Sequence, residues 1–176
     1  RGLGDVYKRQ GQILAIISHF DVASLGPQSA QAWRLIGDAS RLAFADRGRY
    51  MADSDYVDMP TKGLLDPKYL KMRSKLINSS RVSDGMSPGM PPTASNYQLS
   101  PDASMELPST SHFAIVDAQG NAVSMTTTIE NGFGSRLMTR GFLLNNELTD
   151  FSFRPEQDGQ LIANRLEPGK RPRSSM

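Results

Sequence analysis

A threonine follows directly after the longest irregular stretch of the sequence. Residues 83–109 contain five Pro, two Gly and six Ser with only three charged residues, and Thr110 comes next. Such a stretch is typical of an exposed loop, where a peptide bond can be reached and cut. A cut before Thr110 would leave an α-amine, with a pKa near ~8, beside a hydroxyl that it could activate as a nucleophile. Spacing by itself favours the plainer interpretation that Thr110 merely begins a strand.

The composition offers few other routes to catalysis. The 176 residues include no Cys and only two His, His19 and His112. A cysteine nucleophile and thiolate ligands are thus excluded, and a multi-histidine metal site nearly so, and neither a metal nor a cofactor is expected. Lys and Arg number 20 against 18 Asp and Glu, and no basic run with interleaved aromatic residues predicts nucleic-acid binding. The longest apolar stretch, residues 13–17, is too short to span a bilayer.

Helical periodicity dominates the first half of the chain. Residues 1–10 have no clear pattern and are interpreted as a non-native segment. Apolar residues over 11–22 recur at the spacing of one helix face. A second helix is predicted over 28–50, with Trp33 on the buried stripe and Asp46 on the solvent side.

Strand patterns replace helical ones in the second half. After a short basic helix predicted over 68–77, alternating residues over 112–117 and a β-branched run over 122–129 flank a turn, which predicts a hairpin. A further short strand is predicted over 142–144. The chain is therefore expected to have a mixed α+β architecture, with helices first, the linker at 83–109, and then an antiparallel sheet.

Several runs in both halves follow a family signature. The runs lie at 41–47, 63–65, 110–117, 120–124, 126–130, 133–134, 141–147, 150–152 and 169–176. Together they resemble the γ-glutamyltransferases, also called glutathione hydrolases. The resemblance covers nearly all of the sequence from residue 11 onward.

The resemblance implies an N-terminal-nucleophile hydrolase with an αββα sandwich, made as one precursor that cuts itself between Ser109 and Thr110. Residues 11–82 would then be the helical C-terminal part of the large subunit, 83–109 the linker, and 110–176 the N-terminal part of the small catalytic subunit. The sandwich would be incomplete in this chain.

The resemblance also assigns roles to individual residues. Thr110 matches the nucleophile, whose hydroxyl attacks the γ-carbonyl of a γ-glutamyl amide, and Thr128 matches a threonine whose hydroxyl touches it. Asp150 matches the carboxylate that binds the α-ammonium of the substrate. Ser174 and Ser175 match a serine pair that holds the substrate α-carboxylate. We interpret His112 in the same signature as structural.

Departures from the family pattern leave the acyl donor open. Glu130 stands where many members have Asn, and Glu147 where many have Gln, so both are candidate substrate-binding residues that could supply negative charge near the ammonium. Ala114 replaces a usual Ser or Thr, and residues 135–140 are shorter and bring Arg rather than Glu. A cephalosporin or glutaryl acylase of the same fold is therefore the alternative enzyme. A non-catalytic binding protein is the alternative outside enzymes.

The expected partners follow from the same resemblance. They are glutathione and other γ-glutamyl amides as donors, water, amino acids or peptides as acceptors, and the two subunits of one precursor. Periplasmic or extracellular location is favoured over cytoplasmic. The family's Gly-rich oxyanion turn and its carboxylate-binding Arg would lie outside this sequence, so the chain by itself is expected to be inactive.

Overall fold

The computed structural model describes residues 3–78, 81–83, 85–94, 98–104 and 110–173. Helices fill the first half and short strands the second, which confirms the mixed α+β class. The elements are α1 (Leu3–Ile17), α2 (Val22–Leu25), α3 (Ala30–Tyr50), α4 (Thr61–Leu64), α5 (Pro67–Ser74), β1 (Leu99–Ser100), β2 (Ser111–Val116), β3 (Ala122–Thr127), β4 (Met138–Thr139), β5 (Phe142–Leu143), a 3₁₀ helix (Glu147–Asp150), β6 (Glu156–Gln157) and β7 (Gln160–Ile162). No helix in the described ranges is long and apolar enough to cross a membrane.

The first helix differs from its predicted bounds. It runs over Leu3–Ile17 instead of 11–22, so it begins within the segment that has no sequence pattern. It ends early because the side chains of Ser18 and His19 both hydrogen-bond the carbonyl of Ala15, at 2.8 and 2.9 Å. Such local side-chain bonds compete with continuation of a helix.

The long helix α3 confirms its prediction, but Trp33 does not belong to its buried side. Ser29 caps its N-terminus by accepting a hydrogen bond from the backbone N–H of Ala32 at 3.3 Å. Trp33 was predicted to be buried and is instead 63 % exposed, with its indole N–H donating to the carbonyl of Pro27 at 3.0 Å. The buried stripe consists of Ala32, Leu35, Ala39, Leu42 and Ala43.

The prediction that Asp46 faces solvent is also wrong. Asp46 is fully buried and accepts hydrogen bonds from the Gln12 amide at 3.0 Å, the Tyr69 hydroxyl at 2.7 Å and the Gly89 backbone N–H at 2.8 Å. Arg73 lies 3.2 Å away as its ion-pair partner. These partners come from three separate segments, namely α1, α5 and the linker, so the carboxylate joins them to α3 and offsets its own desolvation.

The linker is less exposed than its composition predicts. Within its described residues, Ser83, Pro91 and Ala94 are buried, and Leu99–Ser100 forms β1. Strand β1 pairs in parallel with β7, which itself pairs antiparallel with β6. The linker therefore contributes a strand to a sheet that also contains residues from beyond Thr110.

The predicted hairpin is confirmed as β2 and β3. Its register runs from Ser111 opposite Thr127 to Val116 opposite Ala122. The turn is stabilised by Asp117, which accepts hydrogen bonds from the Asn121 backbone N–H at 2.8 Å and side-chain amide at 2.7 Å. Both strands are exposed along their whole length within the described part of the chain. Strands β4 and β5 form a separate two-stranded sheet.

Candidate active site

The open end of the hairpin leads to two predicted catalytic residues. The last ladder pair is Ser111 with Thr127, and Thr110 and Thr128 are the next residues along the chain on either side of it. Both lie just outside the paired strands. Thr110 is half-buried and Thr128 is exposed.

His112 lies further into the hairpin. Its ring nitrogens share hydrogen bonds with the hydroxyls of Thr126, at 2.8 Å, and Ser124, at 3.3 Å. These contacts agree with the interpretation of His112 as a structural residue that bridges the two strands.

Glu130 lies two residues beyond Thr128 in a strained conformation. Its φ of 67° falls in the left-handed region, which is uncommon for a residue other than Gly. The turn is stabilised by a hydrogen bond of 2.9 Å from the Glu130 backbone N–H to the Thr128 hydroxyl oxygen. Glu130 is buried, with an exposed fraction of 9 %. Strain of this kind clusters at functional sites because the surrounding contacts must hold it.

Asn146 links this turn to the next segment of the site. Its side-chain amide donates to the Glu130 carboxylate and, at 3.1 Å, to the Thr149 hydroxyl. Its side-chain oxygen accepts from the Asn131 backbone N–H at 3.0 Å, and its own backbone N–H donates to the carbonyl of Ile129 at 3.2 Å. A single Asn therefore fixes the chain after Thr128 against the start of the 3₁₀ helix.

The 3₁₀ helix carries the two remaining acidic candidates. Glu147 and Asp150 are its first and last residues, and both are half-buried. One carboxylate oxygen of Glu147 is buried and has no hydrogen-bond partner among the described residues. A buried acceptor without a partner is costly, so this oxygen is suited to receive a hydrogen bond from a cationic ligand.

Asn164 connects Asp150 to the segment that precedes the serine pair. Its side-chain amide donates to the backbone carbonyl of Asp150 at 2.7 Å, and its side-chain oxygen accepts from the backbone N–H of Arg173 at 2.9 Å. Its own carbonyl accepts from the backbone N–H of Ser152 at 2.9 Å. Asn164 is fully buried.

Three acidic residues from before Thr110 hold the same segment from the other side. Arg171 pairs with Asp53, to which its Nε donates at 2.8 Å, and with Asp55 at 2.6 Å. Hydrogen bonds from Arg171 hold the pKa of Asp53 well below its ordinary value. Arg173 pairs with Asp102 at 3.1 Å.

The Asp102–Arg173 pair lies in the interior. Both side chains are almost fully buried, with exposed fractions of 1 and 4 %. Burial by itself would raise the pKa of Asp102, but hydrogen bonds from Ser104 and the charge of Arg173 outweigh it and lower that pKa. The carboxylate therefore stays charged at neutral pH, and the pair ties the linker to the chain just before Ser174.

The predicted site is thus assembled in part. Hydrogen bonds link Thr128 to Glu130 and Glu130 to Asn146, and Glu147 and Asp150 belong to the 3₁₀ helix that follows Asn146. Ser109, Ser174 and Ser175 lie outside the described residues.

Two asparagines in this region were not assigned a role from sequence. Asn146 stands within a matched signature run, and an Asn directly before an acidic turn is a recognisable capping signal. Asn164 sits between two apolar residues and Arg165, which gives no signal of its position between two loops.

A family model of the gamma-glutamyltranspeptidases matches residues 9–176. The chain belongs to this family. A glutathione hydrolase proenzyme of Bacillus subtilis (strain 168) is 39 % identical over 172 residues, and one of Escherichia coli (strain K12) is 36 % identical over 174 residues. Each match covers 94 % of this chain and 28 % of the relative. The chain therefore spans little more than a quarter of the length of these gamma-glutamyltranspeptidase relatives.

Acylases also match this chain, at a lower sequence identity than the glutathione hydrolases. An acylase ACY 1 proenzyme of Pseudomonas sp. (strain SE83) is 32 % identical over 170 residues, with 94 % of this chain and 27 % of the relative covered. The solved structure of a cephalosporin acylase from Bacillus halodurans superposes with a TM-score of 0.67 over 93 % of this chain and 26 % of that one, at 23 % identity. This likeness confirms the expected N-terminal-nucleophile hydrolase fold, of which the helices and three small sheets form a part.

Proposed function

We propose that the chain is the junction segment of a longer, self-processing proenzyme that transfers γ-glutamyl groups. The complete proenzyme would carry the large-subunit tail at 11–82, the linker at 83–109 and the start of the small subunit at 110–176. Family membership and the 28 % coverage of the glutathione hydrolase relatives support this division. The observation that carries the proposal is the hairpin register, whose last pair of Ser111 with Thr127 adjoins Thr110 and Thr128, together with the hydrogen bond from Asn146 that holds Glu130 just after Thr128.

Thr110 is the proposed nucleophile, first for cleavage and then for acyl transfer. In cleavage, its hydroxyl oxygen bonds to the carbonyl carbon of Ser109 and the peptide C–N bond breaks, leaving an ester. The Thr110 nitrogen takes up the proton lost by the hydroxyl and becomes a free α-amine. Water then hydrolyses the ester, which releases the Ser109 carboxylate and restores the Thr110 hydroxyl. That amine, with a pKa near ~8, then accepts the hydroxyl proton when Thr110 attacks a substrate.

Acyl transfer follows the same chemistry on an external amide. The Thr110 oxygen bonds to the γ-carbonyl carbon of glutathione or a related amide, the amide C–N bond breaks, and the leaving amine takes up the proton. Water or an amino-acid or peptide amine then attacks the γ-glutamyl ester, giving hydrolysis or transpeptidation. Thr128, which directly follows the last ladder residue Thr127, would donate a hydrogen bond to the Thr110 oxygen.

The acidic group would bind the α-ammonium of the donor. Asp150 would form a charge-assisted hydrogen bond with it, and Glu130 and Glu147 would add negative charge. The unpartnered carboxylate oxygen of Glu147 and the strained turn at Glu130 support a ligand in this region. Ser174 and Ser175 are the proposed ligands of the α-carboxylate.

An acylase with another donor is the second candidate. Similarity to the Pseudomonas acylase supports this candidate. So do Glu130 and Glu147, which stand where many members of the family have Asn and Gln. A glutaryl donor lacks the α-ammonium, so the acidic group would have no positive partner on the bound donor. The charge of the site therefore favours the γ-glutamyl donor.

Turnover of two chromogenic amides by the complete proenzyme tests the proposal. We expect release of the chromophore from a γ-glutamyl anilide to exceed release from a glutaryl anilide, and Thr110→Ala to abolish both. Preference for the glutaryl amide would select the acylase. Turnover unchanged in Thr110→Ala would contradict the nucleophile, and absence of turnover in the processed parent would favour a non-catalytic binding protein.

The 176-residue chain alone is proposed to be inactive. Acyl transfer needs donors aimed at the developing oxyanion, and loss of a single donor costs about 10²–10³ in rate. The family's oxyanion turn and carboxylate-binding Arg are not found among the matched runs of this sequence. Turnover by residues 11–176 at the rate of the complete proenzyme would contradict this proposal.

A further inference from the structure

One buried amide holds two separate loops of the candidate site. Asn164 donates from Nδ2 to the carbonyl of Asp150 at 2.7 Å and accepts at Oδ1 from the backbone N–H of Arg173 at 2.9 Å. Both polar groups of the side chain are thus used, and the residue is fully buried. Because an amide group is planar and small, the two contacts fix how far apart the two backbone segments lie.

The surroundings keep Asn164 itself in place. Its carbonyl accepts from the Ser152 backbone N–H at 2.9 Å, and the preceding residue, Ala163, accepts from the Lys170 ammonium at 2.7 Å. Lys170 is in turn paired with Glu167 at 2.7 Å. Side chains held on several sides by packing and hydrogen bonds are those that can set geometry at a site.

Arg173 is held from the opposite direction as well. Its guanidinium pairs with Asp102 at 3.1 Å, with both side chains almost fully buried. The backbone at Arg173 is therefore fixed by Asn164, while its side chain is anchored to the linker. The next residue in the chain is Ser174, the first member of the proposed carboxylate-binding pair.

We propose that Asn164 is a positioning residue that sets the spacing between the ammonium-binding and carboxylate-binding halves of the donor site. This inference rests on the proposed function, in which Asp150 binds the α-ammonium and Ser174 and Ser175 bind the α-carboxylate. Asn164 touches neither group of the substrate. It acts through the backbone of Asp150 on one side and of Arg173 on the other.

Spacing matters only for a ligand that uses both halves at once. The ammonium and carboxylate of an α-amino acid are attached to one carbon, so their separation is fixed by covalent geometry. A change in the spacing of the two halves weakens one of the two contacts in every pose. A ligand with only an ammonium or only a carboxylate can settle in its own half without that loss, because positional errors reduce binding only through contacts that must form together.

Binding of three small ligands to the complete proenzyme after processing separates positioning from simple stability. The probes are L-glutamate, which carries the α-ammonium and the α-carboxylate, glutarate, which lacks the α-ammonium, and 4-aminobutyrate, which lacks the α-carboxylate. Dissociation constants are measured by titration calorimetry in the parent and in Asn164→Asp. This variant keeps the size of the side chain and an oxygen for Arg173, and it removes the donor to Asp150.

We expect L-glutamate to bind about tenfold more weakly to Asn164→Asp, while glutarate and 4-aminobutyrate change by no more than about threefold. Asn164→Ser, which adds no charge, should give the same pattern. Gln12→Leu is the matched control, because Gln12 is a buried amide that donates to Asp46 at 3.0 Å in the helical half. It should leave all three dissociation constants unchanged.

Other outcomes overturn the inference. Equal weakening of all three ligands, or no change in any, would assign Asn164 to general packing. Failure of both Asn164 variants to fold or process, with Gln12→Leu normal, would do the same. If the parent itself binds L-glutamate no better than glutarate, the proposed function fails together with this inference, whereas a parent preference that both variants retain overturns the role of Asn164 alone.

Discussion

Buried polar side chains serve different ends in the two halves of the molecule. In the helical half, Asp46 has Gln12, Tyr69, the Gly89 backbone and Arg73 as partners, all from the protein. In the second half, Asn146 holds the Glu130 carboxylate and Asn164 holds the backbone of Asp150. Between these two contacts lies Glu147, whose buried carboxylate oxygen has no partner among the described residues. The Asp46 carboxylate is thus fully partnered by the protein, whereas the Glu147 carboxylate leaves an acceptor that a ligand can use. The same chemical change should therefore affect stability in one half and substrate binding in the other.

The largest contrast is expected between two Asp→Asn variants. Asp150→Asn should raise KM for a γ-glutamyl anilide by over a hundredfold, because losing one side of a charged pair costs about 3–5 kcal/mol. Asp46→Asn should lower the free energy of unfolding by about 3–5 kcal/mol, since it leaves Arg73 buried without its ion-pair partner.

Steady-state kinetics and urea unfolding of both variants make the comparison. Asp46→Asn should keep KM within about threefold of the parent, and Asp150→Asn should keep its unfolding free energy within about 1 kcal/mol. The comparison fails if KM of Asp150→Asn stays within a few-fold of the parent.

Two Gly→Ala variants should act in opposite directions. Gly134 has a φ of 51°, and a Cβ there would lie 2.1 Å from the carbonyl oxygen of Leu144. Gly134→Ala should therefore force the Glu130 turn away from Asn146, at a cost of about 1–3 kcal/mol. Gly37 lies in α3 with open space around it, so Gly37→Ala should stabilise the chain by about 1 kcal/mol.

Urea midpoints and donor KM check this pair. We expect Gly134→Ala to lower the midpoint and raise KM together, and Gly37→Ala to raise the midpoint with KM unchanged. A Gly134→Ala variant with normal stability and KM would show that the turn and Asn146 are not coupled.

A smaller effect is expected at the asparagine that holds Glu130. Asn146→Ala removes hydrogen bonds to Glu130, Thr149 and the Asn131 backbone. Because a hydrogen bond to a charged group contributes about 1.5–3 kcal/mol, KM for the γ-glutamyl anilide should rise by at least about tenfold. Gln12→Leu, at the buried amide of the helical half, should leave KM unaltered. Equal KM values in the two variants would remove the distinction between the halves at this position.

The smallest expected effect concerns pH. Hydrogen bonds from Arg171 hold the pKa of Asp53 below its ordinary value in the folded chain. The contact therefore stabilises the fold fully above that ordinary value, near ~3.9, and its contribution declines as pH falls from there toward the folded-state pKa. Asp53→Asn should lower Tm by a few degrees at pH 6 and by less at pH 3.

Thermal unfolding at the two pH values measures this contribution. Asp58→Asn, at an exposed carboxylate on the same loop, is the control and should leave Tm unchanged at both. A Tm difference between the parent and Asp53→Asn that grows as pH falls would contradict the assignment.

Local patterns in the sequence predicted the long helix and the hairpin, but not the short strands β1, β4, β6 and β7. Alternation and turn chemistry around residue 117 predicted the hairpin, and the apolar period of α3 predicted that helix. Trp33 and Asp46 were assigned to the wrong sides because tertiary partners decide burial there. A carboxylate with four partners can be buried, and an indole that reaches the Pro27 carbonyl can stay outside.

The sequence predicted the signature residues of the candidate site, but not the asparagines that hydrogen-bond to them. Thr110, Thr128 and Asp150 follow from the family resemblance. Asn146 contacts Glu130, 16 positions away, and Asn164 contacts Asp150, 14 positions away. In each pair the two residues lie in different loops. A single sequence carries no periodic signal for such contacts, because irregular loops have no fixed spacing.

The identity of the new N-terminus tests the central claim most directly. Intact mass and N-terminal sequencing of the purified complete proenzyme would show whether the chain is cut and where. We predict cleavage between Ser109 and Thr110, with Thr110 as the first residue of the small subunit, and an uncut precursor for Thr110→Ala. An intact parent precursor, or a new N-terminus at any residue other than Thr110, would contradict the assignment of Thr110 as the nucleophile.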